Sequence, residues 1–162
     1  TSEEKIKRAE AYISKITDLN AKVRIRDMSA LPLLVAAYEE KNMEVVRLLI
    51  NKRADVNQKV EMMEGIVEGT PLMYACCCYE RQDSIEFIHL CMNTPGVDLN
   101  TKDNNGSTLL DYVDAKIRQL SERGKSSDEW EALRGELETK GAKRGGVRVN
   151  FDDEQDEQDE SQ

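Results

Sequence analysis

A three-residue pattern, Asp-(Leu/Val)-Asn, occurs three times in this chain of 162 residues and constrains its fold more than any other feature. The pattern occupies residues 18–20, 55–57 and 98–100, so its asparagines are 37 and 43 residues apart. Two prolines that precede apolar segments, Pro32 and Pro71, are 39 residues apart. A spacing of roughly 40 residues is typical of proteins built from stacked helix pairs, in which each pair buries its apolar faces against its neighbours.

Short apolar segments lie between these markers in a repeated order. Residues 32–38 and 43–51 predict one pair of short helices, and residues 71–76 with 84–92 predict a second pair. Residues 106–113 predict the start of a third pair. Helices of this length are not stable alone in water, so we expect them to be buried against one another.

Two further helices are predicted at the ends of the repeats. Residues 3–17 carry apolar side chains at spacings of three and four, with Ser2 as a possible cap. Residues 128–138 place Trp130, Leu133 and Leu137 on one helix face. We expect both helices to cap the stack; binding of a partner by the second helix is the alternative.

The first helix pair resembles an ankyrin repeat. That family's pattern is Thr-Pro-Leu-His, a pair of alanines, a helix ending in leucines, and Gly-Ala-Asp-Val-Asn. Residues 31–37, 43–50 and 54–57 follow this pattern. Arg53 stands in place of the usual glycine. The stretches that resemble a second repeat and the start of a third are 69–76, 95–100 and 103–111. The resemblance covers residues 18–120 and implies an all-α solenoid of stacked helix-turn-helix pairs with hairpin fingers.

This interpretation divides the chain into four parts. Residues 1–29 are predicted to form an N-terminal capping helix and the first finger, residues 30–121 the ankyrin-like repeats, and residues 122–139 a C-terminal capping helix. Residues 140–162 are predicted to be a flexible Gly-rich basic linker followed by an acidic tail, which is too polar to fold by itself.

The net charge of −9 belongs mostly to that tail. Residues 151–162 hold seven acidic side chains and no basic one, which leaves 25 acidic and 23 basic side chains, a net of −2, in the rest of the chain. An acidic chain lacks the electrostatic footprint of a nucleic-acid-binding protein. The tail is predicted to be solubilising, to bind a basic protein, or to fold back on residues 140–148.

The cysteines and the single histidine argue against metal binding and thiol chemistry. Cys76, Cys77 and Cys78 are consecutive, Cys91 is separate, and His89 is the only histidine. Adjacent cysteines rarely reach disulfide geometry, which favours a reducing compartment. We therefore expect a cytoplasmic protein, or one delivered into a host cell if the source is a pathogen. Without a second cysteine or histidine pair we expect no zinc site and no cofactor.

No apolar run approaches the roughly 18 residues of a membrane span, and none near the first residue resembles a secretory signal. The resemblance implies protein binding through the fingers and the concave face of the first helices. The residues expected on that face are Tyr38, Glu39, Tyr74, Cys77, Cys78 and Asp114.

The finger between Asn57 and Thr70 is unusually long, and it is the other predicted contact site. Its candidate residues are Met62, Met63, Glu64 and Ile66. Exposed methionines suit adaptable binding surfaces. The alternative is that this loop folds onto its own repeat and buries those side chains.

These observations predict a monomeric, non-enzymatic module that binds another protein and neither nucleic acid nor membrane. One alternative is an acid-tailed chaperone or inhibitor of a basic protein. A less favoured alternative is a thiol enzyme that uses Cys77 or Cys78.

Overall fold

The computed structural model of the protein describes residues 1–25, 30–78 and 81–151. These residues form seven α-helices and four short strands. In chain order the elements are α1 (Ser2–Ile13), β1 (Lys22–Val23), β2 (Leu31–Pro32), α2 (Leu33–Glu39), α3 (Met43–Asn51), β3 (Val60–Met62), β4 (Val67–Gly69), α4 (Pro71–Cys77), α5 (Ser84–Met92), α6 (Leu109–Glu122) and α7 (Asp128–Thr139). The predicted helical repeat fold is confirmed in its helix content, but the strands pair as two antiparallel hairpins, so the described chain is not purely α-helical.

The helices pack as three consecutive pairs in two rows. Within the pairs, α2 packs on α3, α4 on α5, and α6 on α7. Along the first row α2 contacts α4 and α4 contacts α6, while along the second row α1 contacts α3, α3 contacts α5 and α5 contacts α7. The helix predicted as a separate C-terminal cap is therefore the second member of the third pair. Trp130, Leu133 and Leu137 are buried there, as their common face predicted.

Helix α1 differs in its bounds from the predicted helix over residues 3–17. Its cap is Thr1 rather than Ser2, because the Glu4 amide donates to Thr1 Oγ1 at 3.4 Å. The helix ends at Ile13, after which the backbone tightens into turns, with the Ile16 amide donating to the Ile13 carbonyl at 3.0 Å.

The Asp-(Leu/Val)-Asn triplets connect each pair to the next. In all three triplets the aspartate accepts a hydrogen bond from the backbone of its own asparagine, which forms a local turn. The asparagine Oδ1 then accepts from the following finger: Asn20 from the Asp55 amide at 2.8 Å, and Asn57 from the Asp98 amide at 2.8 Å. Asn100 accepts from the Lys143 amide at 2.7 Å, so residues 141–145 form the finger of the third pair.

Residues 140–151 are not the flexible linker that their glycine and basic content predicted. Ala142 and Val149 are buried. Thr108 Oγ1 donates to the Lys143 carbonyl at 2.7 Å, and Arg118 donates to the Val149 carbonyl at 2.7 Å. This C-terminal strap, residues 142–151, thus covers α6 at the end of the first row. The acidic tail proper, residues 152–162, lies outside the described residues.

Candidate functional site

The long finger folds into the β3–β4 hairpin. Its cross-strand pairs are Val60 with Gly69, Glu61 with Glu68, and Met62 with Val67. Because side chains alternate between the two faces of a strand, Met62 and Val67 are buried against the repeat while Glu61 and Glu68 face solvent. The hairpin therefore presents a carboxylate-bearing outer face.

The tip of this hairpin exposes a large apolar side chain on a well-held backbone. Ile66 is 72% exposed, and Glu64 beside it is also exposed. Asn104 of the next finger donates from Nδ2 to the Ile66 carbonyl at 3.0 Å and accepts from the Glu68 amide at 2.9 Å. Asn104 of the next finger therefore holds the backbone of this turn by two hydrogen bonds, and the Ile66 side chain is exposed on a fixed turn.

Met62 does not belong to this exposed surface. It is only 4% exposed, and a Cβ atom added to Gly69 would lie 2.5 Å from its Cε atom. The expectation of an exposed methionine at position 62 is therefore wrong, because the β3–β4 pairing turns this side chain inward. Met63 is half-buried. Of the four finger candidates, Glu64 and Ile66 remain open to a partner.

Tyr38 at the end of α2 is fully buried rather than exposed on a concave face. Its ring lies 4.3 Å from that of Phe87 and 6.3 Å from that of Tyr74, measured between centroids. Its hydroxyl is hydrogen-bonded to the Ser84 hydroxyl at 2.7 Å, and the Arg81 guanidinium carbon lies 3.7 Å above its ring. Burial raises the pKa of the Tyr38 phenol well above its usual value. Tyr38 thus joins the first pair to the second.

Polar side chains surround this aromatic cluster at the edge of the first row. The Tyr74 hydroxyl donates to Glu39 Oε2 at 2.7 Å, and Arg81 Nη1 lies 3.9 Å from the same oxygen. Arg81 also donates to both carboxylate oxygens of Asp83, at 2.9 and 2.8 Å. We call Glu39, Tyr74, Arg81 and Asp83 the Arg81 cluster. It brings together the predicted residues Glu39 and Tyr74 with two that the sequence did not indicate.

Asp114 lies apart from that cluster and is bound within the chain. Arg144 Nε donates to its Oδ2 at 2.6 Å, and Arg134 Nη1 donates to its Oδ1 at 3.4 Å. Burial alone would raise the pKa of Asp114, but the hydrogen bonds from Arg144 and Arg134 outweigh it and lower this pKa. The carboxylate holds the C-terminal strap against α6 and α7.

The cysteines lack the features of a catalytic thiol. Burial raises the pKa of Cys77 to about 12 and that of Cys78 to about 11, so both are protonated at neutral pH. His89 lies on α5, and its Nε2 is 3.0 Å from Glu136 Oε2 on α7. The single histidine is therefore engaged with a carboxylate on the second row.

These pKa values predict slow alkylation of the native protein. At pH 8, Cys77 and Cys78 should react with iodoacetamide roughly 100-fold or more slowly than in the unfolded chain, because only the thiolate reacts. Peptide-resolved mass spectrometry of timed reactions measures this ratio. The control is the same protein fully unfolded in ~8 M urea. A native rate equal to the unfolded rate would contradict the partly buried, protonated state.

Lys116 is a further residue that sequence reasoning missed. It is buried on α6, where its Nζ donates to the Cys78 carbonyl at 3.1 Å and lies 5.7 Å from the Trp130 ring centroid. Burial lowers the pKa of Lys116. Nothing in the repeat pattern marks this position or Arg81, since each donates to a backbone carbonyl about 40 residues away in sequence, Lys116 to Cys78 and Arg81 to Tyr38.

The described residues thus repeat one unit, a helix pair followed by a finger that an asparagine links to the next finger. Residues 30–60 match the family model described as Ankyrin repeat. Residues 30–60 therefore carry an ankyrin repeat, as the resemblance of the first helix pair predicted. No curated protein and no solved structure gives a significant match to the chain.

The described ranges hold neither a candidate metal-binding cluster nor a membrane-spanning helix. Within residues 1–25, 30–78 and 81–151, no three or more His, Cys, Asp or Glu side chains are grouped so as to hold a metal ion. Over the same residues, no helix combines the length and apolarity needed to cross a membrane.

Proposed function

We propose that this protein is a non-enzymatic module that binds another protein through the tip of the β3–β4 finger and the adjoining face of the first-row helices. Ankyrin repeats are generally protein-interaction modules. The observation that carries the proposal is Ile66, a large apolar side chain held out at an anchored hairpin tip. Exposed apolar side chains on rigid supports are typical of interaction sites.

The surroundings of Ile66 indicate the chemistry of the partner. Glu61, Glu64 and Glu68 all carry exposed carboxylates on the same finger. Lys59 neutralises one of them, since its Nζ lies 3.3 Å from Glu68 Oε1. A matching partner surface has an apolar pocket bordered by lysine or arginine side chains. Glu39, Cys77 and Cys78, which are partly exposed, are the further contact residues we propose on the first row.

Substitution of the finger tip tests this proposal. We expect Ile66→Ser to weaken binding of the natural partner about tenfold, since loss of a buried interface anchor costs about 1.4 kcal/mol or more. Folding stability should change by less than about 0.5 kcal/mol, because the side chain is exposed in the free protein. Affinity capture from native lysate identifies the partner, and titration with the purified partner measures the affinity.

The matched control is Val147→Ser, which removes an exposed apolar side chain from the C-terminal strap. It should leave the affinity unchanged. Equal binding by wild type and the Ile66→Ser variant would exclude the finger tip as the contact site.

Deletion of residues 152–162 distinguishes this proposal from the alternative, an acid-tailed chaperone or inhibitor of a basic protein. Under the finger proposal the truncated protein binds its partner as tightly as the full chain. Under the alternative, binding is lost on truncation and, in the full chain, weakens steeply as salt is added.

We also propose that the two helix rows form a short solenoid that acts as a monomer in the cytoplasm. The regular contacts along both rows support the solenoid. The four free cysteines, Cys76, Cys77, Cys78 and Cys91, support a reducing compartment.

A further inference from the structure

The finger that leads into α6 contains a chemically reactive pair of residues, Asn105 and Gly106. Asn105 is the only asparagine in the chain that a glycine follows. Because glycine lacks a side chain, its backbone nitrogen can approach the preceding side-chain amide more closely than that of any other residue. Asn105 is also exposed, in a turn that Gly106 ends with a φ of +86°. The pair is therefore open to solvent on a glycine-dependent turn.

The two consecutive asparagines of this turn differ in how their side-chain amides are held. Asn104 donates from Nδ2 to the Ile66 carbonyl at 3.0 Å and accepts at Oδ1 from the Glu68 amide at 2.9 Å. The backbone amide of Asn105 donates to Asp103 Oδ1 at 2.9 Å. Among the described residues, the Asn105 side chain makes no hydrogen bond. Its carboxamide can therefore rotate toward the backbone nitrogen that follows it.

The same turn contacts two other segments of the chain. The Gly106 amide donates to the Asp103 carbonyl at 3.1 Å, which closes the turn. On one side, the Asn104 amide donates to the Glu68 carbonyl of the β3–β4 finger at 3.2 Å. On the other side, a Cβ added to Gly106 would lie 3.7 Å from Val147 Cγ2 of the C-terminal strap. A change in the backbone of this turn therefore reaches the finger and the strap.

We propose that Asn105 is a modification site that loses its side-chain amide by deamidation, and that the isoaspartate formed releases the tip of the β3–β4 finger. The Gly106 nitrogen gives up its proton to base and attacks Cγ of Asn105, so that a new C–N bond closes a five-membered imide ring. The Cγ–Nδ2 bond breaks, and the side-chain nitrogen takes up a proton and leaves as ammonia. Water then adds to one of the two ring carbonyls and opens the ring.

The two products of ring opening affect the turn differently. Addition of water at Cγ gives aspartate in an unchanged backbone. Addition at the main-chain carbonyl carbon breaks its bond to the Gly106 nitrogen and gives isoaspartate, whose backbone runs through Cβ and Cγ and is one atom longer. The extra atom does not fit the hydrogen-bonded turn, so the contacts of Asn104 with the finger weaken. The site is independent of the function proposed above, and only its effect on partner binding rests on that function.

The folded turn slows this reaction without preventing it. The Gly106 amide must first leave the Asp103 carbonyl, which requires local opening of the turn. We therefore expect slower deamidation in the folded chain than in an unfolded peptide of residues 100–110. At Asn105 the reaction should still be at least tenfold faster than at the other asparagines, because each of those precedes a bulkier residue.

Timed incubation of the full chain at mildly alkaline pH, followed by peptide mass spectrometry, measures the reaction at each asparagine. Electron-transfer fragmentation distinguishes isoaspartate from aspartate. Hydrogen exchange then compares aged with fresh protein, and the Glu68 amide, which donates to Asn104, should exchange at least tenfold faster in the isoaspartate form. The Asp98 amide, which donates to Asn57 at another finger junction, is the internal control and should exchange at an unchanged rate.

Two variants separate the modification from other effects of ageing. Asn105→Gln keeps a side-chain amide but disfavours the ring, which becomes six-membered, so its Glu68 amide should stay protected through the same incubation. Asn105→Asp, measured when fresh, carries the charge of the product in an unchanged backbone and should also keep this protection. Position 105 is exposed, so both variants should fold, and far-UV circular dichroism checks this.

Three results overturn the proposal. The first is deamidation at Asn105 that is no faster than at the other asparagines. The second is a Glu68 amide that exchanges equally fast in aged and fresh protein. The third is a fresh Asn105→Asp variant whose Glu68 amide exchanges as fast as in the isoaspartate form, since the added charge rather than the longer backbone would then loosen the finger.

Discussion

Replacement of Tyr38 by alanine should destabilise the protein more than any other single change considered, by about 3–5 kcal/mol, the range for removing a fully buried aromatic ring. The ring contacts Phe87 and Tyr74 of the second pair and lies beneath the Arg81 guanidinium. Its loss therefore opens a cavity between two pairs rather than within one. Urea unfolding followed by circular dichroism measures the free energy of unfolding.

Tyr38→Phe separates the ring from the hydroxyl. This variant keeps the aromatic contacts but leaves the Ser84 hydroxyl without the partner it has at 2.7 Å. We expect a loss of about 1–2 kcal/mol, that of one buried hydrogen bond. If phenylalanine proved as costly as alanine, the hydroxyl rather than the packing of the ring would join the two pairs.

A methyl group at position 145 should detach the C-terminal strap. A Cβ on Gly145 would overlap the Gly106 carbonyl oxygen and would lie 2.8 Å from Asp111 Oδ2, which already accepts from the Gly145 amide at 2.8 Å. Neither neighbour can withdraw freely, since one is backbone and the other is bonded to the Thr108 amide at 2.9 Å. We expect Gly145→Ala to cost about 2–3 kcal/mol, typical of overpacking.

Hydrogen exchange gives the local readout for this variant. The Lys143 and Gly145 amides, which donate to Asn100 and Asp111, should lose their protection when the strap detaches. The matched control is Gly135→Ala in α7, where an added Cβ meets no atom within 4 Å. It should stabilise the helix by about 0.5–1 kcal/mol, because alanine is the better helix former. Unchanged protection in the Gly145→Ala variant would show that the strap is not held by this close approach.

The substitutions at Tyr38 and Gly145 affect different contacts in the same stack of helix pairs. Tyr38 joins the first pair to the second, and the strap covers the free face of the last first-row helix. On α1, Tyr12 is exposed.

Much of this architecture could be predicted from the sequence because its signals are local. Prolines, small-residue pairs and apolar spacings within ten residues predict the short helices of the first two pairs. The aspartate of each triplet also acts locally, by accepting from an amide two residues away. The family resemblance, carried by the same segments, predicted the repeat that residues 30–60 match.

The predictions that needed correction concern positions whose surroundings come from distant parts of the chain. Residues 142–151 contain glycine and arginine and resemble a linker, yet Asp111, Asp114 and Asn100 bind them across 30 to 43 residues of sequence. Met62 resembles an exposed finger residue, yet strand pairing turns it inward.

The sequence by itself therefore determined the repeat at residues 30–60 and the helices of the first two pairs. Only the tertiary structure decided which side chains a partner can reach: Ile66 and Tyr12 are exposed, whereas Tyr38 and Met62 are buried. The physical reason is the range of the interactions. Helix and turn formation depends on neighbours a few residues away, whereas burial depends on atoms from other repeats, such as Ser84 beside Tyr38, 46 residues apart in sequence.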